Sequence, residues 1–197
     1  MKKETRNLIL PEGNISSPVM FFEESDRTYF KKMFFYWVEL NKASLSLGST
    51  RIVNIPESLT EGIFGLEMNF ARVTYGVTDA SSSFDNYDFV NNKRIQLKAA
   101  SSTGPSSFGP RSQYDDIYFF YFKKMAESSK NKRNFSGYFE IYKLDPKTLP
   151  NLILNKTKNE TFSDQQKQGR RPRFSIPKEL ITPYGLKPSK IGNIEDW

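Results

Sequence analysis

Two strand-like segments near the middle of the chain flank a pair of asparagines. Residues 84–90 are rich in aromatic side chains, and residues 93–99 alternate apolar and polar ones. The pair Asn91-Asn92 suits a tight two-residue turn, because asparagine tolerates a positive φ. The pattern therefore predicts an antiparallel hairpin in which Val90 pairs with Lys93.

This hairpin register decides which polar side chains lie together. Counting back from the turn places Asp85 opposite Lys98, on the face that also carries Gln96. Asp88 falls on the opposite, apolar face, and a slip of one residue would exchange the two aspartates. The register therefore favours Asp85 as the residue that shares a polar face with Gln96 and Lys98.

Two helices and two further strands are predicted around the hairpin. Apolar side chains recur at helical spacing over residues 26–40, and a second helix is expected after Asn54, its N-cap, with Pro56 in the first turn. Residues 117–122 and 138–143 have the composition of strands, the first of them buried on both faces. This order predicts an α/β fold, with α+β as the alternative, in which helices flank a central mixed β-sheet.

Composition excludes several kinds of function. The chain has 197 residues, a length that suits one domain over residues 1–197, and it has neither cysteine nor histidine. Disulfides, thiolate or histidine metal sites and Ser-His-Asp triads are therefore impossible. The net charge of +7 favours a polyanionic partner, although a basic protein without a nucleic-acid role is the alternative. No signal peptide or membrane-length apolar run is visible, so a soluble intracellular protein is expected.

The polar face of the hairpin has the chemistry of a metal-dependent hydrolase. A carboxylate and an amide oxygen, here from Asp85 and Gln96, can hold Mg²⁺, which prefers oxygen ligands. A neighbouring lysine such as Lys98 can orient the attacking water and stabilise negative charge on a phosphate. The alternative is a cross-strand ion pair between Asp85 and Lys98 that needs no metal.

The same residues resemble a known nuclease motif. Asp85 followed by Gln96-Leu97-Lys98 is similar to the acid and the (D/E)xK element of the PD-(D/E)xK superfamily. Residues 54–61 resemble the preceding helix of several Type II restriction endonucleases, and residues 107–120 resemble the segment after the catalytic lysine. Residues 162–175 are similar to a stretch in the small restriction enzyme family that recognises GCNGC. These matching segments occur in the same order as in the family. Together they run from residue 51 to residue 175, which is most of the chain.

The resemblance implies a role for each residue of the motif. Asp85, Gln96 and the Leu97 carbonyl would bind the metal, and Lys98 would position the nucleophilic water. Gln96 stands where the family usually has a second acid, so that an acid from elsewhere would compensate. Glu57 and Glu61 lie four residues apart on one face of the second predicted helix, and either is a candidate supplementary ligand.

A basic, glutamine-rich segment around residues 160–176 is the candidate DNA-recognition element. Arginine can bind guanine through two hydrogen bonds and glutamine can bind adenine, whereas other cations would contact only phosphate. A solvated basic loop has the same composition. The candidate DNA contacts are Gln165, Gln166, Lys167, Gln168, Arg170, Arg171 and Arg173, together with Ser107, Arg111 and Ser112 beside the scissile phosphate.

The resemblance favours a Type II restriction endonuclease that hydrolyses double-stranded DNA with Mg²⁺ at a short site. It implies a homodimer with one active site per subunit, a cognate methyltransferase and a bacterial cytoplasmic setting, with no membrane partner. One alternative is a non-catalytic nucleic-acid-binding protein, which would retain its affinity in EDTA. Another is a structure-specific repair nuclease of the same superfamily, which would leave no fixed pattern of fragments.

Overall fold

An eight-stranded mixed sheet organises the fold in the computed structural model, which describes residues 1–73, 84–129 and 133–197. The strands are β1 (Lys2–Leu10), β2 (Gly13–Phe21), β3 (Ala71–Val73), β4 (Asn86–Asp88), β5 (Lys93–Ala100), β6 (Ser106–Ser107), β7 (Asp116–Tyr121), β8 (Tyr138–Leu144), β9 (Ile153–Asn155), β10 (Glu160–Thr161), β11 (Arg173–Phe174) and β12 (Lys190–Asn193). The large sheet has the order β1-β2-β3-β4-β5-β7-β8-β12, and only the β5–β7 pair is parallel. The smaller pairs are β9–β10 and β6–β11.

Helices cover the sheet, as the sequence predicts. They are α1 (Arg27–Ser46), α2 (Glu57–Met68), α3 (Lys123–Ala126), α4 (Phe162–Lys167) and α5 (Thr182–Tyr184), the last preceded by a π-helical turn at Pro177–Ile181. No helix among the described residues is long and apolar enough to cross a membrane.

The described residues form three hydrophobic cores, and two of them lie on opposite faces of the sheet. On one face, Phe34 of α1 and Ile63 of α2 pack against Leu97 and Phe120. On the other face, Phe119 belongs to a cluster that includes side chains from the C-terminal third of the chain. Every residue of β7 is buried, which confirms the prediction of a strand covered on both sides.

The two long helices differ from their predicted bounds. The first continues to Ser46 rather than ending at residue 40. The second begins at Glu57 with Pro56, rather than Asn54, as its N-cap, since Pro56 is extended (φ −58°, ψ 128°). The Asn54 carbonyl instead accepts a hydrogen bond from the Trp37 indole N–H at 3.1 Å.

The predicted register of the central hairpin is wrong by two residues. Asp88 pairs with Lys93 and Asn86 pairs with Ile95, so four residues rather than two form the loop. The Asp88 carboxylate closes this wider loop by accepting hydrogen bonds from the backbone N–H groups of Val90 at 2.9 Å and Asn91 at 3.1 Å. Only the second asparagine, Asn92, has a positive φ, whereas a two-residue type I′ turn needs two such residues. A shift of two residues leaves each side chain on its predicted face.

The N-terminal hairpin β1–β2 was not predicted from the sequence. Its two nine-residue strands bury only Leu8, Leu10, Ser17 and Val19, so the hydrophobic alternation that marks a strand is weak there. The turn at Pro11-Glu12, followed by Gly13 with φ 131°, is the signal that would have revealed it.

Candidate active site

A cleft of about 730 Å³ opens beside the carboxyl-terminal half of β5. Its walls are the segment 50–55 that follows α1, the first turns of α2, and residues 97–107. Four of the predicted catalytic side chains line it together, namely Glu57, Glu61, Asp85 and Lys98. Residues that are far apart in the chain are thereby brought to one place.

Backbone and side-chain hydrogen bonds fix Asp85 at the cleft. Its N–H donates to the Ile95 carbonyl at 2.9 Å, and its Oδ2 accepts from the Leu97 N–H at 2.7 Å. The Gln96 amide donates to the same Oδ2 and, at 3.3 Å, to the Leu97 carbonyl. Asp85 is therefore held against residues 95–97, and not opposite Lys98 as the predicted register had it.

Lys98 is partly buried, with its ammonium 5.5 Å from the centre of the Phe108 ring. The alternative to a metal site was a cross-strand ion pair between Asp85 and Lys98. The ion pairs of the described residues do not include this pair. Burial lowers the pKa of Lys98, and the nearby Arg171 guanidinium acts in the same direction. Burial thus outweighs the opposing effect of the Asp85, Glu57 and Glu61 charges, and a perturbed pKa of this kind in a cleft is typical of functional sites.

The acids of α2 complete the charged wall of the cleft. Burial, together with the negative charge of Asp85, raises the pKa of Glu61 to about 7. The Glu61 carboxylate forms an ion pair with Arg72 of β3, and its side chain is only 15% exposed. Glu57, one turn earlier, is exposed, and its charge acts on both Asp85 and Lys98. Arg72 was not predicted, and nothing in its sequence context marks it as part of a site.

The oxygen donors at this place fit a hard divalent cation. Burial also raises the pKa of Asp85, so Asp85 and Glu61 both resist ionising without a cation nearby. Among the described residues, no three His, Cys, Asp or Glu side chains are arranged so that they alone could hold a metal ion. A cation would therefore depend on carboxylate, carbonyl and amide oxygens supplemented by water, which is the coordination that Mg²⁺ accepts.

The basic segment forms a short helix and a strand at the rim of the cleft. Thr161 caps α4 and shares a capping box with Asp164, and Gly169 with φ 70° follows the helix end. After the helix, Arg173 pairs with Ser107, and the Phe108 N–H donates to the Pro172 carbonyl at 3.0 Å. These bonds attach the segment to the loop that follows Lys98.

The candidate DNA contacts of this segment divide into two groups. Glu160 binds Gln165 at 3.0 Å, Gln168 at 3.3 Å, and Arg170, while Gln166 donates to the Gly109 carbonyl at 3.1 Å. In the other group, Lys167, Arg171 and Arg173 are exposed, and their side chains make no hydrogen bond or ion pair with another described residue. This second group is available to a phosphate or base without breaking a bond within the protein.

Of the three residues predicted to lie near the scissile phosphate, one lines the cleft. Ser107 lines the cleft, whereas Arg111 and Ser112 lie in the next turn and do not. Two other arginines, Arg51 and Arg133, do line it. Arg51 reads in the sequence as an ordinary surface charge, and Arg133 ends a basic run that is typical of a solvated loop as well as of a phosphate contact.

Comparison with known proteins places the chain in a family. The family model described as "Bsp6I restriction endonuclease" matches residues 22–183. The chain is also 29% identical over 172 residues to the Type II restriction enzyme Bsp6I of Bacillus sp. (strain RFL6), an alignment that covers 85% of this chain and 89% of that enzyme. No solved structure matches. The chain therefore belongs to the Bsp6I restriction endonuclease family and is a site-specific deoxyribonuclease.

Proposed function

We propose that the chain is a Type II restriction endonuclease of the PD-(D/E)xK type that hydrolyses double-stranded DNA with Mg²⁺. The observation that carries the proposal is the convergence of Asp85, Lys98 and Glu61 in one cleft, with the Gln96 amide hydrogen-bonded to the Asp85 carboxylate. The basic segment at the rim of this cleft supplies a surface for the DNA backbone. The family match supports the activity, and the geometry supports the residues.

Asp85 is the principal metal ligand in this proposal. Its Oδ2 is held by the Leu97 N–H and the Gln96 amide, which leaves Oδ1 to face the cation. The Leu97 carbonyl and the Gln96 amide oxygen are further donors, and Glu61 supplies the second carboxylate that the motif lacks at Gln96. Mg²⁺, when bound, would polarise the scissile phosphate and lower the pKa of a coordinated water.

Lys98 orients the attacking water and stabilises the charge that develops on the phosphate. A partly buried ammonium stabilises the negative charge of the transition state more than an exposed one does, because its charge is less screened by water. Burial also lowers its pKa, which brings Lys98 closer to accepting a proton near neutral pH.

The unengaged cations of the basic segment are the first candidates for DNA contact. Arg171 and Arg173 can bind guanine O6 and N7 or a phosphate, and Lys167 can bind a phosphate. Arg51 and Arg133 face the cleft from another wall and suit the phosphates that flank the scissile bond. A target of the GCNGC type is supported by the resemblance of residues 162–175 to the family with that specificity.

Cutting both strands of a symmetric site needs two active sites related by two-fold symmetry. We therefore propose that residues 1–197 form one nuclease domain, that two copies act together, and that a methyltransferase protects the host DNA. The setting would be the cytoplasm of a bacterium.

End sequencing tests this proposal and identifies the recognition site in the same experiment. Mixed linear DNA is incubated with the protein in Mg²⁺ or EDTA, and the ends of all fragments are sequenced. We expect ends that share one short motif in Mg²⁺ and intact DNA in EDTA. Fragments with no common motif would contradict the proposal, as would intact DNA that is retarded on a gel in Mg²⁺.

A further inference from the structure

An apolar stripe runs along α1 on the side away from its buried residues, although its member Met33 is partly buried against the core. Its members recur at alternating intervals of four and three residues over the whole helix and its C-cap. They are Tyr29, Met33, Tyr36, Leu40, Ala43 and Leu47. This is the heptad spacing of a helix that packs along a second helix.

Apart from Met33, the stripe lies outside the side of α1 that contacts the core. Phe30, Phe34 and Trp37 are buried, with at most 5% of their surface exposed. On the stripe, by contrast, Tyr36 is 74% exposed and Leu47 is 90% exposed. Tyr29 and Leu40 are also more than half exposed, so most of the stripe has no cover in the folded chain.

We infer that the stripe is the dimer interface, where α1 packs antiparallel against α1 of a second copy. An antiparallel pair with its two-fold axis near residue 38 overlaps the stripe along its full length. In that register Tyr29 meets Leu47 of the second copy and Tyr36 meets its Leu40. Met33 lies opposite Ala43, so large and small side chains alternate across the contact.

The exposed area is enough for a weak to moderate dimer. Two tyrosines and two leucines with these exposures offer about 500 Å² per copy, which reaches the roughly 1,000 Å² total of a specific interface. The stripe itself carries no charged residue, while Lys32, Glu39 and Lys42 lie along its solvent flank. An apolar centre with a charged rim is the usual anatomy of such an interface.

The position of α1 connects this interface to the cleft. The chain leaves α1 at Leu47 and forms one cleft wall from Thr50 to Ile55. A dimer along α1 would therefore couple the two clefts through a few residues of backbone. The choice of a second copy as the occupant rests on the proposed function, because two-strand cleavage needs two sites.

Sedimentation equilibrium of the full chain, without DNA or metal, tests the interface separately from catalysis. We expect the wild type to dimerise, and Tyr36→Glu and Leu40→Glu to raise the dissociation constant by roughly 30-fold or more. Tyr184→Glu is the matched control, because Tyr184 is 59% exposed and lies outside α1. A monomeric wild type, or stripe variants that dimerise as tightly as Tyr184→Glu, would overturn the inference.

Cross-linking covers the case in which a glutamate variant fails to fold. The chain has no cysteine, so Leu40→Cys carries a single thiol. A short bismaleimide should join two copies of Leu40→Cys but not of Tyr184→Cys, and equal yields would overturn the interface. A dimer that forms through α1 but cuts no DNA would refute the proposed function and leave the interface standing.

Discussion

At the scale of single residues, the candidate site consists of charged groups in positions that oppose their charge. Burial raises the pKa values of Asp85 and Glu61 and lowers that of Lys98. In each group burial disfavours the charged form, which a bound cation or phosphate would favour. Arrangements of this kind favour ligand binding over the stability of the free protein.

Replacing Lys98 by methionine separates catalysis from stability. Methionine keeps an apolar stem against Phe108 and removes a partly buried charge, so the melting temperature should be unchanged or higher. The cleavage rate should fall by about 10²–10³-fold, because the charge that develops on the phosphate is no longer stabilised by the Lys98 ammonium. Single-turnover cleavage and thermal unfolding would be measured beside Lys124→Met, an exposed lysine on α3. Cleavage by Lys98→Met at the rate of that control would contradict the assigned role.

Glu61 should make the metal-free protein less stable as the pH rises. The folded-state pKa of Glu61 is about 7, above its ordinary 4.5, so its favourable contribution is complete below pH 4.5 and is lost as the pH rises through 7. The loss from this group is roughly 3 kcal/mol in the free energy of unfolding. Glu61→Gln cannot ionise and should escape this loss.

Urea unfolding in EDTA at pH 5 and pH 8 measures the effect of Glu61. Asp85 is present in both proteins, so the difference between wild type and Glu61→Gln reports the titration of Glu61 together with its coupling to Asp85. If the two proteins lose the same stability between these pH values, the buried position of Glu61 is wrong. Adding Mg²⁺ at pH 8 should restore stability to the wild type, because a cation favours the ionised carboxylates.

At the scale of elements, the hairpin shows why a sequence can predict faces better than register. Alternation along β5 fixed which side chains share a face, and a shift of two residues left those faces unchanged. The loop length depended on a contact that alternation does not encode, the Asp88 carboxylate bound to the N–H groups of the loop. Asp85 could therefore be selected over Asp88 although its predicted partner was wrong.

The basic segment shows the opposite limit of prediction. Helix α4 has only six residues, too few for a hydrophobic period, although Thr161, Asp164 and Gly169 mark its two ends. Its basic, glutamine-rich composition predicts DNA as the ligand. Its position beside Lys98 depends on the β6–β11 pairing, for which two-residue strands leave no pattern in the sequence.

Two adjacent arginines of this segment should differ in their effect on DNA binding. Arg171 is unengaged, whereas the Arg170 guanidinium is paired with Glu160. Arg171→Ala should weaken DNA binding and reduce the slope of log K against log salt by about 1, the change expected when one phosphate contact is lost. Arg170→Ala should change that slope less. Titrations in Ca²⁺ over a range of salt would measure both, and a larger change for Arg170→Ala would contradict the assignment.

At the scale of the whole molecule, the sheet brings distant parts of the chain to one cleft. The aromatic strand β7 separates the two cores and supports β5, so the strand that carries Gln96 and Lys98 is anchored on its parallel neighbour. The mixed sheet and its flanking helices were predictable because β7 is a continuous apolar run and α1 has a strong helical period. The cleft was not, because its walls come from loops and short strands.

The central claim is that Asp85 belongs to a metal centre. Asp88, which lies in the same hairpin and pairs with Lys93, provides the control. Asp85→Asn and Asp88→Asn remove one carboxylate each from the same hairpin without changing its size. Cleavage in Mg²⁺ and DNA affinity in Ca²⁺ would be measured on a duplex that carries the motif found by end sequencing. We predict that Asp85→Asn binds the duplex yet cuts it about 10³-fold more slowly, while Asp88→Asn cuts at nearly the wild-type rate. Cleavage by Asp85→Asn at the wild-type rate, or an equal loss in both variants, would contradict the account.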